Sequence, residues 1–212
     1  MNSLPLFPEC SIPSEVDTLF HESTAWKAGY SLVAGVDEAG RGPLAGPVVA
    51  AAVIMPEGIT VEGVRDSKVM TEKARERAFS LIHQKAISVG IGVVSHEFID
   101  EHNILKASLE AMKRAVLTLY PAPGFCLVDG IFPVPLPIPQ ECLKKGDRIS
   151  HSISAASVVA KVYRDRLMVA YHAQFPMYGF SENKGYGTAR HLAAIREYGA
   201  SPIHRRTFRG VC

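Results

Sequence analysis

Leu32-Val33-Ala34-Gly35-Val36-Asp37-Glu38-Ala39-Gly40-Arg41-Gly42-Pro43-Leu44-Ala45-Gly46-Pro47 is the stretch on which the fold turns. Its apolar start reads as a buried strand over Ser31 to Val36, which meets two carboxylates and then a Gly-Arg-Gly turn. Beyond the turn, Val48 to Ile54 is again apolar and rich in valine, so the two segments read as adjacent antiparallel strands. Successive strand residues point to opposite faces, so Asp37 and Glu38 cannot both face one site while the strand stays regular. Gly40 and Gly42 offer the break: the strand is expected to end at once, the chain twisting after Asp37 to bring Glu38 to the same edge.

The remaining elements follow from similar cues. Ile87 to Val94 gives a third strand, and Thr71 caps a helix to about Gln84 with Ala74, Ala78, Leu81 and Ile82 on one face. Asn103 to Leu119 repeats the helical pattern and stops before Pro121; Phe125 to Asp129 is a short central strand; Ile153 to Phe175 is a long helix ended by Pro176. Strand, strand, helix, strand, helix, strand, helix argues for an α/β fold, a mixed sheet flanked by helices. Near the C-terminus, Thr188 caps a helix to Tyr198 that Gly199 terminates, and Ser201-Pro202 signals the start of another. Pro133, Pro135, Pro137 and Pro139 alternate between Asp129 and Asp147 and make that connection a stiff spacer.

With 212 residues and 47% hydrophobic content, the chain has enough apolar material for one main core and a small appended unit. The longest stretches free of Asp, Glu, Lys and Arg, 42–56 and 167–181, fall short of the roughly 18 apolar residues of a membrane span. No Lys or Arg precedes Lys27, which argues against a secretory signal and for a cytoplasmic protein. Cys10, Cys126, Cys142 and Cys212 lie too far apart for paired zinc-ligand spacing and read as reduced thiols. The charge is unevenly placed: residues 151–212 hold nine Lys and Arg against three Asp and Glu, the rest of the chain fourteen against eighteen. An acidic half with a basic C-terminal segment suits a protein that binds cations and also approaches a polyanion.

The acidic residues carry the chemistry. Asp129 ends its own apolar run beside Gly130, so it sits at a strand end neighbouring Asp37 if the two strands pair, and Asp147 returns from the proline spacer. Four clustered carboxylates repel one another and take up protons unless cations are supplied. Oxygen-only ligands suit Mg2+ or Mn2+, and two such ions can activate a water and stabilise a leaving oxygen at phosphorus. Asp165, between Arg164 and Arg166, reads instead as a surface charge or a local ion-pair member, and His204 as a satisfied structural or phosphate-facing group.

The segment from Leu32 to Pro47, followed by Asp66-Ser67-Lys68, Leu127-Val128-Asp129-Gly130, Lys145-Gly146-Asp147, Ala155-Ala156-Ser157 with Lys161-Val162, Lys184-Gly185-Tyr186 and His204-Arg205-Arg206, resembles ribonuclease HII, the type 2 ribonuclease H family, over roughly residues 30–209. The resemblance implies a ribonuclease H-like sheet over 29–176, a basic helical segment for substrate over 177–212, and a tail at 1–28 without an assigned role. It implies a monomeric, metal-dependent endonuclease cutting the RNA strand of RNA/DNA hybrids and 5' of single ribonucleotides in duplex DNA, leaving 5'-phosphate and 3'-hydroxyl ends. Asp37, Glu38, Asp129 and Asp147 would hold the Mg2+ or Mn2+ ions. Gly40, Arg41 and Gly42 would grip the nucleotide bearing the 2'-hydroxyl, Tyr186 would press on a sugar or base, and Ser67, Lys68, Lys184, Arg205 and Arg206 would contact phosphate. Asn183 departs from the pattern, standing where many relatives carry His. A ribonuclease HIII-type enzyme is disfavoured by the Gly-Arg-Gly turn and the short N-terminal region, and a non-catalytic hybrid-binding module by the presence of all four carboxylates.

Overall fold

The computed structural model describes residues 17–64 and 70–211. In chain order its elements are α1 (Phe20–Lys27), β1 (Val33–Ala39), β2 (Val48–Ile54), α2 (Glu72–Lys85), β3 (Ser88–Val94), α3 (His96–His102), α4 (Ile104–Leu117), β4 (Phe125–Asp129), β5 (Gln140–Leu143), α5 (His151–Gln174), α6 (Phe180–Asn183) and α7 (Ala189–Tyr198). Short 3-10 turns at Gly146–Arg148 and Pro176–Tyr178 precede α5 and α6.

The five strands form one sheet in the order β3-β2-β1-β4-β5. β2 runs antiparallel to β1 and β3, while β4 lies parallel to β1 and β5 parallel to β4, which makes the sheet mixed as the element order implies. Strand alternation sorts the core into two layers. Ala34, Val36, Val48, Ala50, Ala52 and Ile54 pack with the Ala107, Ala111, Met112, Ala115 stripe of α4 on one face. Ala51 and Val53 pack with Ala155, Ala156, Val159 and α2 residues Ala78 and Ile82 on the other.

Capping chemistry sets most boundaries. Thr71 accepts from the Ala74 amide to start α2, Thr188 from His191 to start α7, and Ser150 from Ile153 to start α5. Asn103, at φ 78°, does two jobs: its amide closes α3 on Ile99, and its side chain caps α4 through Leu105 and Lys106. The sequence reading lacks α1, α3, α6 and β5, and it carries one helix too many. Ser201-Pro202 starts no helix, because the Ser201 amide and hydroxyl are both taken up by the His204 ring and the segment continues in turns.

Helix α1, inside the region read from sequence as a tail, is tied to the main helix. Buried Glu22 accepts through Oε1 from the Ser150 hydroxyl (2.7 Å), the Ser152 amide (2.9 Å) and the Ser152 hydroxyl (2.6 Å), all at the N-terminus of α5. A carboxylate here satisfies free helix N–H groups and complements the helix dipole. Glu22→Ala removes an acceptor from three donors, and we expect a loss of about 2 kcal/mol, read in thermal unfolding as a Tm lowered by about 4–8 °C. A Tm within about 1 °C of wild type would show that this contact contributes no net stability.

Candidate active site

The site begins where β1 and α5 touch. A Cβ on Gly35 would lie 2.0 Å from the Ser152 carbonyl carbon, so only glycine lets the helix backbone come this close. Two strand residues advance about 6.8 Å and four helical residues about 6 Å, so strand and helix stay in step. Asp37 therefore meets Ser157, whose hydroxyl bonds its carboxylate, and the Glu38 amide donates to Asp37 Oδ1 at 2.7 Å.

The strand does not end after Asp37, as the sequence suggested; it continues to Ala39, with Asp37 opposite Ala51 and Glu38 opposite Ala50. Glu38 accordingly leans toward the α4 face, where it lines a cavity with Leu105, Ser108, Leu109 and Met112. Being near the strand's end, it also reaches the α5 side. A second cavity, of about 260 Å3, is lined by Asp37, Glu38 and Asp129, the Gly40-Arg41-Gly42 turn, Ser157, Lys161, Arg164 and Tyr186. Asp129, at the end of the parallel neighbour β4, accepts from the Gly146 amide at 2.7 Å.

Three carboxylates brought into this apolar-backed corner strain one another. Burial, then the charges of Glu38 and Asp129, hold Asp37 well above the ordinary carboxylate range; Asp37 is 4% exposed. Burial also raises Glu38, against the lowering effect of Arg41, whose guanidinium donates to Glu38 Oε1 at 3.2 Å. Asp147 is placed differently: buried in the 3-10 turn next to Gly146, it lines neither cavity, and its carbonyl accepts from Ser154. Among the described residues no three His, Cys, Asp or Glu side chains are gathered as closely as a bound ion requires.

The loop after β1 is held by two buried arginines. Arg164 of α5 donates to the carbonyls of Pro47 (3.0 Å), Lys184 (2.9 Å) and Ala45 (3.1 Å). Arg205 donates to Gly46 (3.0 Å), Arg41 (3.0 Å) and Gly40 (2.6 Å). Gly40 sits at φ 101°, and a Cβ there would lie 2.1 Å from Arg164 Nε. The Arg205 side chain, read from sequence as a phosphate contact, thus points inward at 0% exposure and fixes the turn instead.

Other expected residues divide by position. Tyr186 stands 44% exposed at the cavity rim, within reach of Gly42, with the Lys161 ammonium 5.8 Å from its ring centre. Lys184, in the left-handed region at φ 51°, turns its ammonium to the Ser181 carbonyl. Asn183 organises the same loop, donating to Tyr178 O at 2.7 Å and accepting from the Gly185 amide at 2.8 Å. Exposed Arg206 lies on the C-terminal turn, where its amide donates to Asp100, whereas His204 is fully buried. Asp165 pairs with Lys161 at 2.8 Å, as read. Ser67 and Lys68 lie outside the described residues.

The residues missed by sequence reasoning are Ser157, Lys161 and Arg164 as walls of the cavity. Their signal was present: Ser157, Lys161 and Arg164 are polar at i, i+4 and i+7 within the largely apolar run from Ala155 to Arg164 and form a stripe facing one direction.

A five-stranded mixed sheet between helices, with acidic residues at the ends of its two central parallel strands, defines a nuclease of the ribonuclease H-like class. The family model for ribonuclease HII matches residues 34–211. A ribonuclease HII of Geobacter sulfurreducens is 56% identical over 209 residues, 99% of this chain and 95% of that one. Among solved structures, ribonuclease H2 from Pyrococcus horikoshii OT3 superposes with a TM-score of 0.72 at 30% identity, covering 85% of this chain and 95% of that one. Bst-RNase HIII, solved in complex with Mn2+, shares the fold at a TM-score of 0.68 and 19% identity over 88% of this chain and 70% of that one. The chain belongs to the ribonuclease HII family, and it is an endoribonuclease of the ribonuclease H type.

The acidic corner has a measurable cost. Because the folded Asp37 binds its proton more tightly than the unfolded chain does, its contribution favours folding at low pH and is lost as pH rises above the ordinary value of 3.8. Asp37→Asn should therefore raise Tm in metal-free buffer at pH 7.5, by about 2–4 °C per kcal/mol relieved, with a gain that shrinks as pH falls toward 4. A lower Tm at pH 7.5 would mean that its Ser157 and Glu38 hydrogen bonds outweigh the burial of charge.

Proposed function

We propose that this endonuclease cleaves the RNA strand of RNA/DNA hybrids and also nicks 5' of single ribonucleotides in duplex DNA, leaving 5'-phosphate and 3'-hydroxyl ends, with Asp37, Glu38, Asp129 and Asp147 as its metal-holding residues. The observation that carries the reading is the convergence of three acidic residues from two parallel strands on one cavity whose far wall is the Gly40-Arg41-Gly42 turn and Tyr186. An oxygen-only donor set, desolvated and mutually repelling, fits Mg2+ or Mn2+ and is relieved by their charge. Two such ions, when bound, supply activation of an attacking water and stabilisation of the leaving oxygen. Asp147 joins this set by its family position and by its place beside Gly146, whose amide holds Asp129.

The chain's other residues present the substrate. Gly40 and Gly42 leave backbone amides accessible to the ribose 2'-hydroxyl, the group by which RNA differs from DNA. Arg41, near the cavity mouth, faces the phosphate backbone while it screens Glu38. Tyr186, exposed beside that turn, packs its ring on the following sugar, so that ribose and deoxyribose are examined side by side. Lys161 adds a cation to the same wall, and Ser67, Lys68, Lys184 and Arg206 serve as outer phosphate contacts. In this reading residues 29–176 form the catalytic unit and 177–212 its basic, substrate-facing part, and the enzyme works as a cytoplasmic monomer. No helix among the described residues is long and apolar enough to cross a membrane.

Substitutions at two residues test this. Asp129→Asn should lower kcat on a duplex carrying one ribonucleotide by roughly two orders of magnitude or more while leaving duplex binding nearly intact, since it deletes a ligand charge and no phosphate contact; activity near wild type in Mg2+ would remove Asp129 from the metal site. Tyr186→Ala should lose roughly tenfold to hundredfold in kcat/KM on the single ribonucleotide and much less on a long hybrid, with Tyr186→Phe milder. Equal losses on both substrates would show that the ring does not read the junction.

A further inference from the structure

Behind the Tyr186 loop lies a buried pair of histidines that the chemistry above does not use. His191 of α7 and His204 of the C-terminal turn face each other through Nε2 atoms 3.0 Å apart. At one end of the pair, His191 Nδ1 lies 2.8 Å from the carbonyl oxygen of Tyr186. At the other, the Ser201 amide donates to His204 Nδ1 at 2.9 Å. The rings sit among Tyr178 and Phe180, and both histidines are essentially inaccessible to solvent.

The two ends dictate where the protons are. A carbonyl oxygen only accepts, so His191 Nδ1 carries a hydrogen; a backbone amide only donates, so His204 Nδ1 carries none. With one proton per neutral ring, His204 is protonated at Nε2 and donates to the bare Nε2 of His191. With the Ser201 hydroxyl, 2.7 Å from the same His204 Nδ1, donating as the amide does, the chain from Ser201 to Tyr186 is satisfied in a single direction. A second proton on either ring sets two N–H groups against each other, at Nε2 to Nε2 or at Ser201. Burial and the neighbouring ring, which push His204 down to about 4, act in the same sense.

We infer that His191 and His204 form a tautomer-locked relay that positions Tyr186 for reading the junction between ribose and deoxyribose. The relay fixes the Tyr186 carbonyl, which also accepts from Thr188 N at 2.8 Å, in a loop whose Lys184 and Gly185 both have positive φ. It also ties that loop to the substrate-gripping turn, since His204 bridges Ala45 and the next residue is Arg205. His191 and His204 are positioning residues: His191 touches the Tyr186 carbonyl and His204 pairs with Ala45 in the loop after the turn, and neither touches a reacting atom. The inference rests on the reading of Tyr186 proposed above.

Two measurements on the full chain test it. Long-range proton–nitrogen correlation of the histidine rings at neutral pH should show His191 protonated at Nδ1 and His204 at Nε2, and the reverse tautomers or a charged ring would overturn the relay irrespective of what Tyr186 does. In kinetics on the single-ribonucleotide duplex, His191→Phe keeps a ring between Tyr178 and Phe180 but breaks the chain, and kcat/KM should fall roughly tenfold, the scale of one lost buried hydrogen bond. His191→Asn, whose amide can still donate to the Tyr186 carbonyl, should recover most of that loss. In a Tyr186→Ala background, His191→Phe should cost nothing further. An undiminished cost there, with Tyr186→Ala itself still selective between substrates, would overturn the relay alone; a Tyr186→Ala variant that loses equally on both substrates would overturn the reading beneath it.

Discussion

Two guanidinium groups taken out of water and set against backbone carbonyls hold this molecule's working parts in register. Arg164 reaches from the central helix and Arg205 from the C-terminal turn, and between them they bond the carbonyls of residues 40, 41, 45, 46, 47 and 184. Burial lowers Arg164 to about 10 and Arg205 to about 9, which leaves both charged at neutral pH. Burying such charge is costly unless hydrogen bonds replace hydration, and here every guanidinium nitrogen has a carbonyl partner. The consequence is a rigid Gly40–Pro47 loop directly after Asp37 and Glu38, so the acidic corner and the turn that faces the sugar move as one body.

That arrangement sets charges of opposite sign close together for different purposes. The arginines place positive charge behind the loop, and Arg164 lines the same cavity as the carboxylates. They do not neutralise the acids, because Asp37 and Glu38 both remain raised by burial and by the charge of neighbouring carboxylates. The site is therefore held in a state that favours added positive charge, at the expense of folding stability near neutral pH. Ser157 and the Glu38 amide keep Asp37 in place meanwhile, and the spacing between β1 and α5 that Gly35 permits makes the Ser157 contact geometrically automatic.

Much of this was legible in the chain, and the failures have identifiable causes. Thr71, Asn103 and Thr188 announced their helices because a capping side chain acts within three residues, and the apolar runs at 33–36, 48–54 and 125–129 announced their strands. Strand β5 was hidden by the prolines that precede it, although Gln140 starts it and uses its amide to hold Val134, Leu136 and Ile138. Helix α1 was hidden because its decisive residue, Glu22, is polar and meets partners 128 and 130 residues away. Asp37, Glu38 and Asp129 were legible as strand-end acids, but the extra length of β1 was not, since its pairing to β2 continues through Ala39 and Val49. Arg205 misled for the same reason as Glu22: between His204 and Arg206 it resembles a solvated basic run, and its partners lie up to 165 positions earlier.

The claim that the buried arginines set the geometry of the site is tested most directly by the activity of Arg205→Lys. Lysine keeps the charge and loses the planar fork, so at most one of the three carbonyl contacts at Gly40, Arg41 and Gly46 survives in a given geometry. With thermal unfolding used to confirm that the variant is folded, kcat/KM on a duplex carrying a single ribonucleotide should fall by roughly tenfold to hundredfold, the scale of one charged hydrogen bond lost from a positioned loop. A folded Arg205→Lys enzyme with wild-type kcat/KM would contradict the account, since the turn would then hold its position without the clamp.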